Sequence, residues 1–150
     1  MCNQQKEFER LWSKIGSNAV MVLSTCADNR VTSRAMSVVV IDGKFYCQTD
    51  ERYPKCAQIK ANPSVCLCVN NFSIEGSCSF VGKPSDNSVF IDAMKKHYPD
   101  AVSRWSGLPT ECVLEIKPRL ISSWIYEENK PYIERWDFER RSYVKEIQGE

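Results

Sequence analysis

The chain has 150 residues, of which 43% are hydrophobic and 26% charged, and a formal net charge of +1. This length suits one domain with a single substantial core, so a single domain over 1–150 is expected. The near-neutral charge speaks against a nucleic-acid surface, which needs a basic surplus, and no apolar run reaches the length of a membrane span.

"QQKEFERLWSKIG" places Phe8, Leu11, Trp12 and Ile15 at helical spacing, with Gly16 as the stop, which predicts a helix over 4–15. Strand-like runs follow: "NAVMVLSTC", the turn "ADNR", then "VTSRAMSVVVI". Asp42-Gly43 is a strong hairpin signal into "KFYCQT". A short helix is expected from Pro54, because proline suits the first helical position, and it should end before Asn62-Pro63. "SVCLCVNNF" and "EGSCSFVGKP" read as strands. A helix capped within "PSDNS" should run through "VFIDAMKKHY". "PDAVSRWSGLPT" reads as loop, and "ECVLEIKP" and "RLISSWIYEE" as two separate strands. The tail from Asn129 has no clear periodicity.

This is a mainly β chain with short helices, lacking the strand–helix alternation of a doubly wound fold. Hairpin-linked strands predict an antiparallel barrel of about six or seven strands, since closure removes exposed edges. The core should span about 19–126, with the tail over 127–150 outside it.

The eight cysteines include no C-x-x-C, and His97 is the single histidine, so no metal site is expected. No basic-then-apolar leader opens the sequence, and a cytoplasmic location with reduced cysteines used as small core residues is the expectation. Cys66 and Cys68 alternate on one strand face, as a vicinal thiol pair or as packing.

The stretch "QTDERYPKCAQIKANP" joins a strand end to a helix start. The first turn of a helix exposes free N–H groups and a partial positive charge, which binds anions. Thr49 adds a hydroxyl and Lys55 a full charge, and Arg52 offers another, so the residues make a small phosphate cradle. The alternative is a plain helix capped by Thr49 or Asp50, with Lys55 in solvent. No G-x-x-x-x-G-K or G-x-G-x-x-G is present, so the cradle is not a P-loop or a Rossmann turn. Upstream, Arg34 interrupts a small, apolar run. Counting from the hairpin, Ser37 and Gln48 should lie opposite each other, with Arg34 beyond, near Thr49. Arg34 needs a phosphate, a carboxylate such as Asp50 or Glu51, or water.

Taken in order, "RAMSVV", "DGKFYCQT", Lys55, "QIKANPSVCL" and "GSCSFVGKP" resemble the FMN-binding split-barrel superfamily of pyridoxamine-5′-phosphate-oxidase-like proteins, in its nitroimidazole-resistance and general-stress branch. The resemblance covers roughly 19–126. It implies FMN as cofactor. Arg34 then matches the arginine that reaches the flavin phosphate, Thr49 lies near that phosphate beside Gln48, and Lys55 closes the site. Met36, Ser37 and Val38 match the strand whose backbone runs along the flavin ring. Ser77 falls where the oxidases carry a glutamine near the ring, and Trp124 matches a tryptophan brought by a second subunit. The family pattern is broken at Tyr53-Pro54, where relatives place a small hydroxyl residue and a cation. The tail lacks the histidine of the vitamin-B6 oxidases, which speaks against that substrate.

The resemblance thus implies a homodimer with flavin at the subunit interface, and an oxidoreductase passing reducing equivalents from NADH or NADPH to a small acceptor such as a nitro compound. The alternative is a non-catalytic module on the same barrel that binds flavin, F420 or haem. A thiol- or metal-based protein is the remaining reading. No residue stands out as a catalytic acid or base. Trp105, Trp124, Tyr126 and Trp136 are candidates for an interface, a pocket or the core.

Overall fold

The computed structural model describes residues 3–149. Eight strands form one antiparallel sheet in the order β3-β2-β1-β4-β5-β6-β7-β8, and a further β3–β6 pairing closes the first six into a barrel. The strands are β1 (Asn18–Ala27), β2 (Arg30–Ile41), β3 (Lys44–Asp50), β4 (Ser64–Val69), β5 (Phe72–Phe80), β6 (Glu111–Glu127), β7 (Lys130–Asp137) and β8 (Ser142–Ile147). Helix α1 (Asn3–Ile15) precedes β1, α2 (Pro54–Ala61) joins β3 to β4, and α3 (Ser88–His97) lies between β5 and β6. Among the described residues no helix is long and apolar enough to cross a membrane.

Local chemistry sets the hairpins. Asp42 and Gly43 both take positive φ (50° and 73°), the geometry that matches the twist of the strands they join. Asp28-Asn29 and Glu128-Asn129 do the same. Gly16 ends α1 at φ 82°, and its N–H returns to the Trp12 carbonyl (2.9 Å). Asn87 caps α3, its Oδ1 accepting from Phe90 N (3.0 Å).

The barrel interior is filled by Met21, Leu23, Phe45, Leu67, Ile74 and Leu114, all essentially inaccessible. Cys47 and Cys78 share that core. Helix α1 adds Leu11 and Ile15 to it. A second cluster lies outside the barrel wall, where Phe90 and Met94 of α3 cover Val39 and Val113.

Three expectations are corrected. The two runs read as separate strands are one strand, β6, of 17 residues. It bends where Glu75 pairs with Leu120 but Gly76 with Pro118, leaving Arg119 as an extra residue. Pro118 has no N–H to give, and a bulge is where a strand tolerates that. The tail is not irregular: β7 and β8 extend the sheet beyond the barrel. "PDAVSRWSG" is largely helical, ending in a π-helical turn over Val102–Ser106.

The tail strands are tied to α1. Trp136 is fully buried, and its Nε1 donates to the Glu7 carbonyl (3.0 Å). Glu134, 1% exposed, accepts from Arg10, from the Tyr143 hydroxyl (2.5 Å) and from Ser123 (3.3 Å). Burial pushes the Glu134 carboxyl up, but the Tyr143 and Arg10 hydrogen bonds outweigh it and hold it below the ordinary range.

Candidate cofactor site at the split of the barrel

Strand β2 pairs with β1 from Arg30 to Val39, but with β3 only through Val39, Val40 and Ile41. Past Tyr46, β3 leaves β2 and runs along β6, with pairs from Phe45–Ile116 to Asp50–Glu111. The β3-facing side of β2 from Arg30 to Val38 therefore has no strand partner. This divergence is the split, and it corrects the expected Ser37–Gln48 pairing: Gln48 lies opposite Val113. The stretch "QTDERYPK", read as a strand end joined to a helix start, spans the end of β3 and the beginning of α2.

Arg34 and Lys55 come close enough there for their charges to interact, and Thr49 lies near the end of the strand that leads into α2. Arg34 shares the inward-facing side of β2 with Met36 and Val38. Its Nη1 donates to the Leu23 carbonyl (3.1 Å) and to Thr25 Oγ1 (2.9 Å), and its Nη2 donates to Thr32 Oγ1. None of these partners is a carboxylate, so the guanidinium charge is uncompensated. Thr49 is 5% exposed at the end of β3. Lys55, in the first turn of α2, is 9% exposed, and its Nζ lies over the Tyr53 ring (4.7 Å to the centroid). Burial, with the Arg34 charge adding to it against opposing contributions from Cys56, Cys47 and the more distant Glu111 carboxylate, holds the Lys55 ammonium below the ordinary lysine value. Burial also lowers Arg34.

Arg52 is not a spare cation. It binds Asp50 through its side chain (2.7 Å) and its main-chain N–H (2.9 Å), and that pairing holds the Asp50 carboxyl far below its ordinary value. Neither Thr49 nor Asp50 caps α2: the cap position is Tyr53, which makes no side-chain cap bond. The first turn of α2 thus opens toward Lys55 without a carboxylate on it.

The other expected residues fall elsewhere. Gln48 is on the opposite face of β3, where its amide donates to Glu111 (3.1 Å) and accepts from Ser106 Oγ (2.7 Å). Ser37 faces outward, paired with Val20. The Val38 carbonyl accepts from the Tyr98 hydroxyl (3.2 Å). Ser77 is exposed on the outer face of β5, between Ser64 and Lys117. Trp124 is 44% exposed near the far end of β6, edge-on to Tyr126. Arg34 and Lys55 define the corner, with Thr49 near the adjoining end of β3; Gln48, Ser77 and Trp124 lie elsewhere.

Three residues of the corner escaped the sequence reading. Thr25 and Thr32 face each other across the Asp28-Asn29 turn, and Gln58 lies one helical turn beyond Lys55. Register counting from that turn would have found the threonine pair.

An open groove of about 260 Å³ runs over the outer face from Cys26 and Thr25 to Ser64, the register partner of Ser77. A larger cavity, about 680 Å³, lies elsewhere, between α1 and the Asp42-Gly43 turn, and is lined by none of the expected site residues. Among the described residues no group of three or more His, Cys, Asp or Glu could hold a metal, and seven cysteines are free thiols. Cys2 lies outside the described residues.

This split-barrel architecture recurs in solved structures. General stress protein 26 from Bacillus anthracis is 22% identical, with 81% of this chain and 92% of that one covered at a TM-score of 0.58. A pyridoxamine 5′-phosphate oxidase-related, FMN-binding protein from Nostoc punctiforme is 16% identical (87% and 86% covered, TM-score 0.58). A NimC/NimA family protein from Clostridium acetobutylicum is 15% identical (85% and 84%, TM-score 0.53). No curated protein matches the chain. The model of the pyridoxamine 5′-phosphate oxidase family matches residues 5–125, and the chain belongs to that family.

Proposed function

We propose that the protein binds FMN at this corner and acts as a flavin-dependent oxidoreductase. One observation carries the reading: Arg34 and Lys55 bring two half-buried positive charges together with no carboxylate in ion-pair contact with either. Such a pair asks for an anion. A terminal phosphate monoester, with a charge of about −1.5 to −2 at neutral pH, balances it better than a singly charged diester. That favours FMN over a cofactor whose phosphate is a singly charged diester. Family membership supports a flavin, and the unpaired side of β2 at Met36–Val38 offers main-chain groups to the polar edge of its ring.

A second subunit completes the site in this proposal. The outer faces of β2, β1 and β4 expose Val31, Val20 and Val22, with Ala35, Cys66 and Cys68 beside them in register. An uncharged sheet face of this kind suits a homodimer interface. Trp124 would reach the flavin from the partner. Bound FMN supplies the hydride chemistry. Residues of this chain bind and orient it, taking electrons from NADH or NADPH to a small acceptor such as a nitro compound. Seven free thiols fit a cytoplasmic setting.

Titrating the purified protein with FMN, then mixing the complex anaerobically with NADH or NADPH, tests the proposal. Quenched flavin fluorescence, a bleached flavin and recovery on adding a nitroaromatic are expected. Absence of tight FMN binding would remove the reading; tight binding without bleaching would leave only a carrier or sensor.

A further inference from the structure

Arg34 is held by a closed ring of side chains. Its Nη1 donates to Thr25 Oγ1 and its Nη2 to Thr32 Oγ1. Both hydroxyls in turn donate to one atom, Gln58 Oε1, at 2.6 Å and 2.7 Å. A guanidinium only donates and an amide oxygen only accepts, so the direction of every bond in the ring is determined. The Gln58 amide nitrogen is anchored on the Arg30 carbonyl (3.4 Å). Thr25 is 1% exposed, so its hydroxyl has little access to competing water. With Leu23 O, Thr25 and Thr32 each taking one hydrogen, the Nε–H and one Nη2 hydrogen have no protein acceptor. Nε and Nη2 share one edge of the guanidinium, the edge that matches two oxygens of a phosphate.

We infer that Thr25, Thr32 and Gln58 are positioning residues: they hold Arg34 with that edge free and its charge uncompensated, ready for a phosphate monoester. The inference rests on the proposed flavin-phosphate corner. Neutral partners are essential to it. A carboxylate in the place of Gln58 would hold the arginine equally well and cancel the charge the phosphate needs. The ring also joins three elements, β1, β2 and α2, so the arginine and the helix bearing Lys55 are set relative to each other by one amide.

The test compares FMN with riboflavin, which lacks the phosphate, by fluorescence titration of the full chain. Thr25→Val and Gln58→Ala are expected to weaken FMN about tenfold or more, the loss for a hydrogen bond supporting a charged group, and to leave riboflavin within about twofold. Thr25→Ser and Thr32→Ser, which keep the hydroxyl, should retain the FMN preference. Gln58→Glu should lose it while melting no lower than Gln58→Ala. If Thr25→Val and Gln58→Ala weaken both ligands equally, or neither, the ring is only a tie between α2 and the barrel and the inference is overturned. If the wild-type chain itself does not prefer FMN to riboflavin, the phosphate corner fails, a result distinguishable from failure of the ring.

Discussion

An ammonium that is 9% exposed, beside a guanidinium and without a carboxylate partner, destabilises the fold that carries it. The sign follows by linkage. The folded-state pKa of Lys55 is lowered, so the cost of its charge is fully present below that pKa and is relieved as pH rises toward the ordinary value of 10.5. Lys55→Met should therefore raise the melting temperature of the ligand-free protein at pH 7, and its advantage should shrink through the alkaline range. The same variant should lose FMN affinity far more than riboflavin affinity. Ligand-free stability unchanged by the substitution at every pH would show that Lys55 is solvated. Gly76 makes a contrasting case, where the constraint is space. A Cβ there would lie 2.5 Å from the Lys117 carbonyl oxygen at the bulge. Gly76→Ala should cost about 1–3 kcal/mol in denaturant unfolding and leave the FMN-to-riboflavin ratio unchanged.

At the scale of elements, the ends of the chain depend on one another. Glu134 of β7 is bonded from α1 by Arg10 and from β8 by Tyr143. Its carboxyl is held below the ordinary glutamate value of 4.5, so the stability it contributes is present above that pH and is lost as pH falls through the lowered value. Glu134→Gln should cost about 1–3 kcal/mol at neutral pH, and its melting curve should converge with the wild type in acid. Hydrogen exchange in α1 should speed up first. This buried glutamate also explains why β7 was not legible: a strand whose inward positions are Glu134 and Trp136 shows no apolar alternation. Where turn chemistry or periodicity was local, as at Asp42-Gly43, Gly16 and α1, the sequence sufficed. At the candidate site, the proximity of Arg34 and Lys55 was legible from the hairpin and the helix start. Gln48 was misplaced because hairpin counting assumes that β2 and β3 stay paired, and they part after three residue pairs. Arg52 was misjudged because a two-residue turn back to Asp50 is a short-range bond that composition does not reveal.

For the whole molecule, the proposed partner to the site is a second copy of the chain. Val22→Glu would put a charge in the middle of the exposed β1 face, between Ala35 and Cys68, without touching the core. Sedimentation should show a dimer that the variant shifts toward monomer. Riboflavin and FMN should weaken together, unlike the selective loss at Lys55. A wild-type monomer that binds FMN fully would exclude the shared site. The barrel's architecture also has a consequence in time. Arg10 and Glu134 are 124 residues apart. At about 5–20 residues per second, a ribosome needs roughly 6–25 s to deliver the second after the first. Through that interval the apolar stripe of Leu11, Trp12 and Ile15 has no β7–β8 seat to complete its docking. Helix α1 is thus made well before the strands that complete its seat, and its docking is finished only when β7 and β8 emerge.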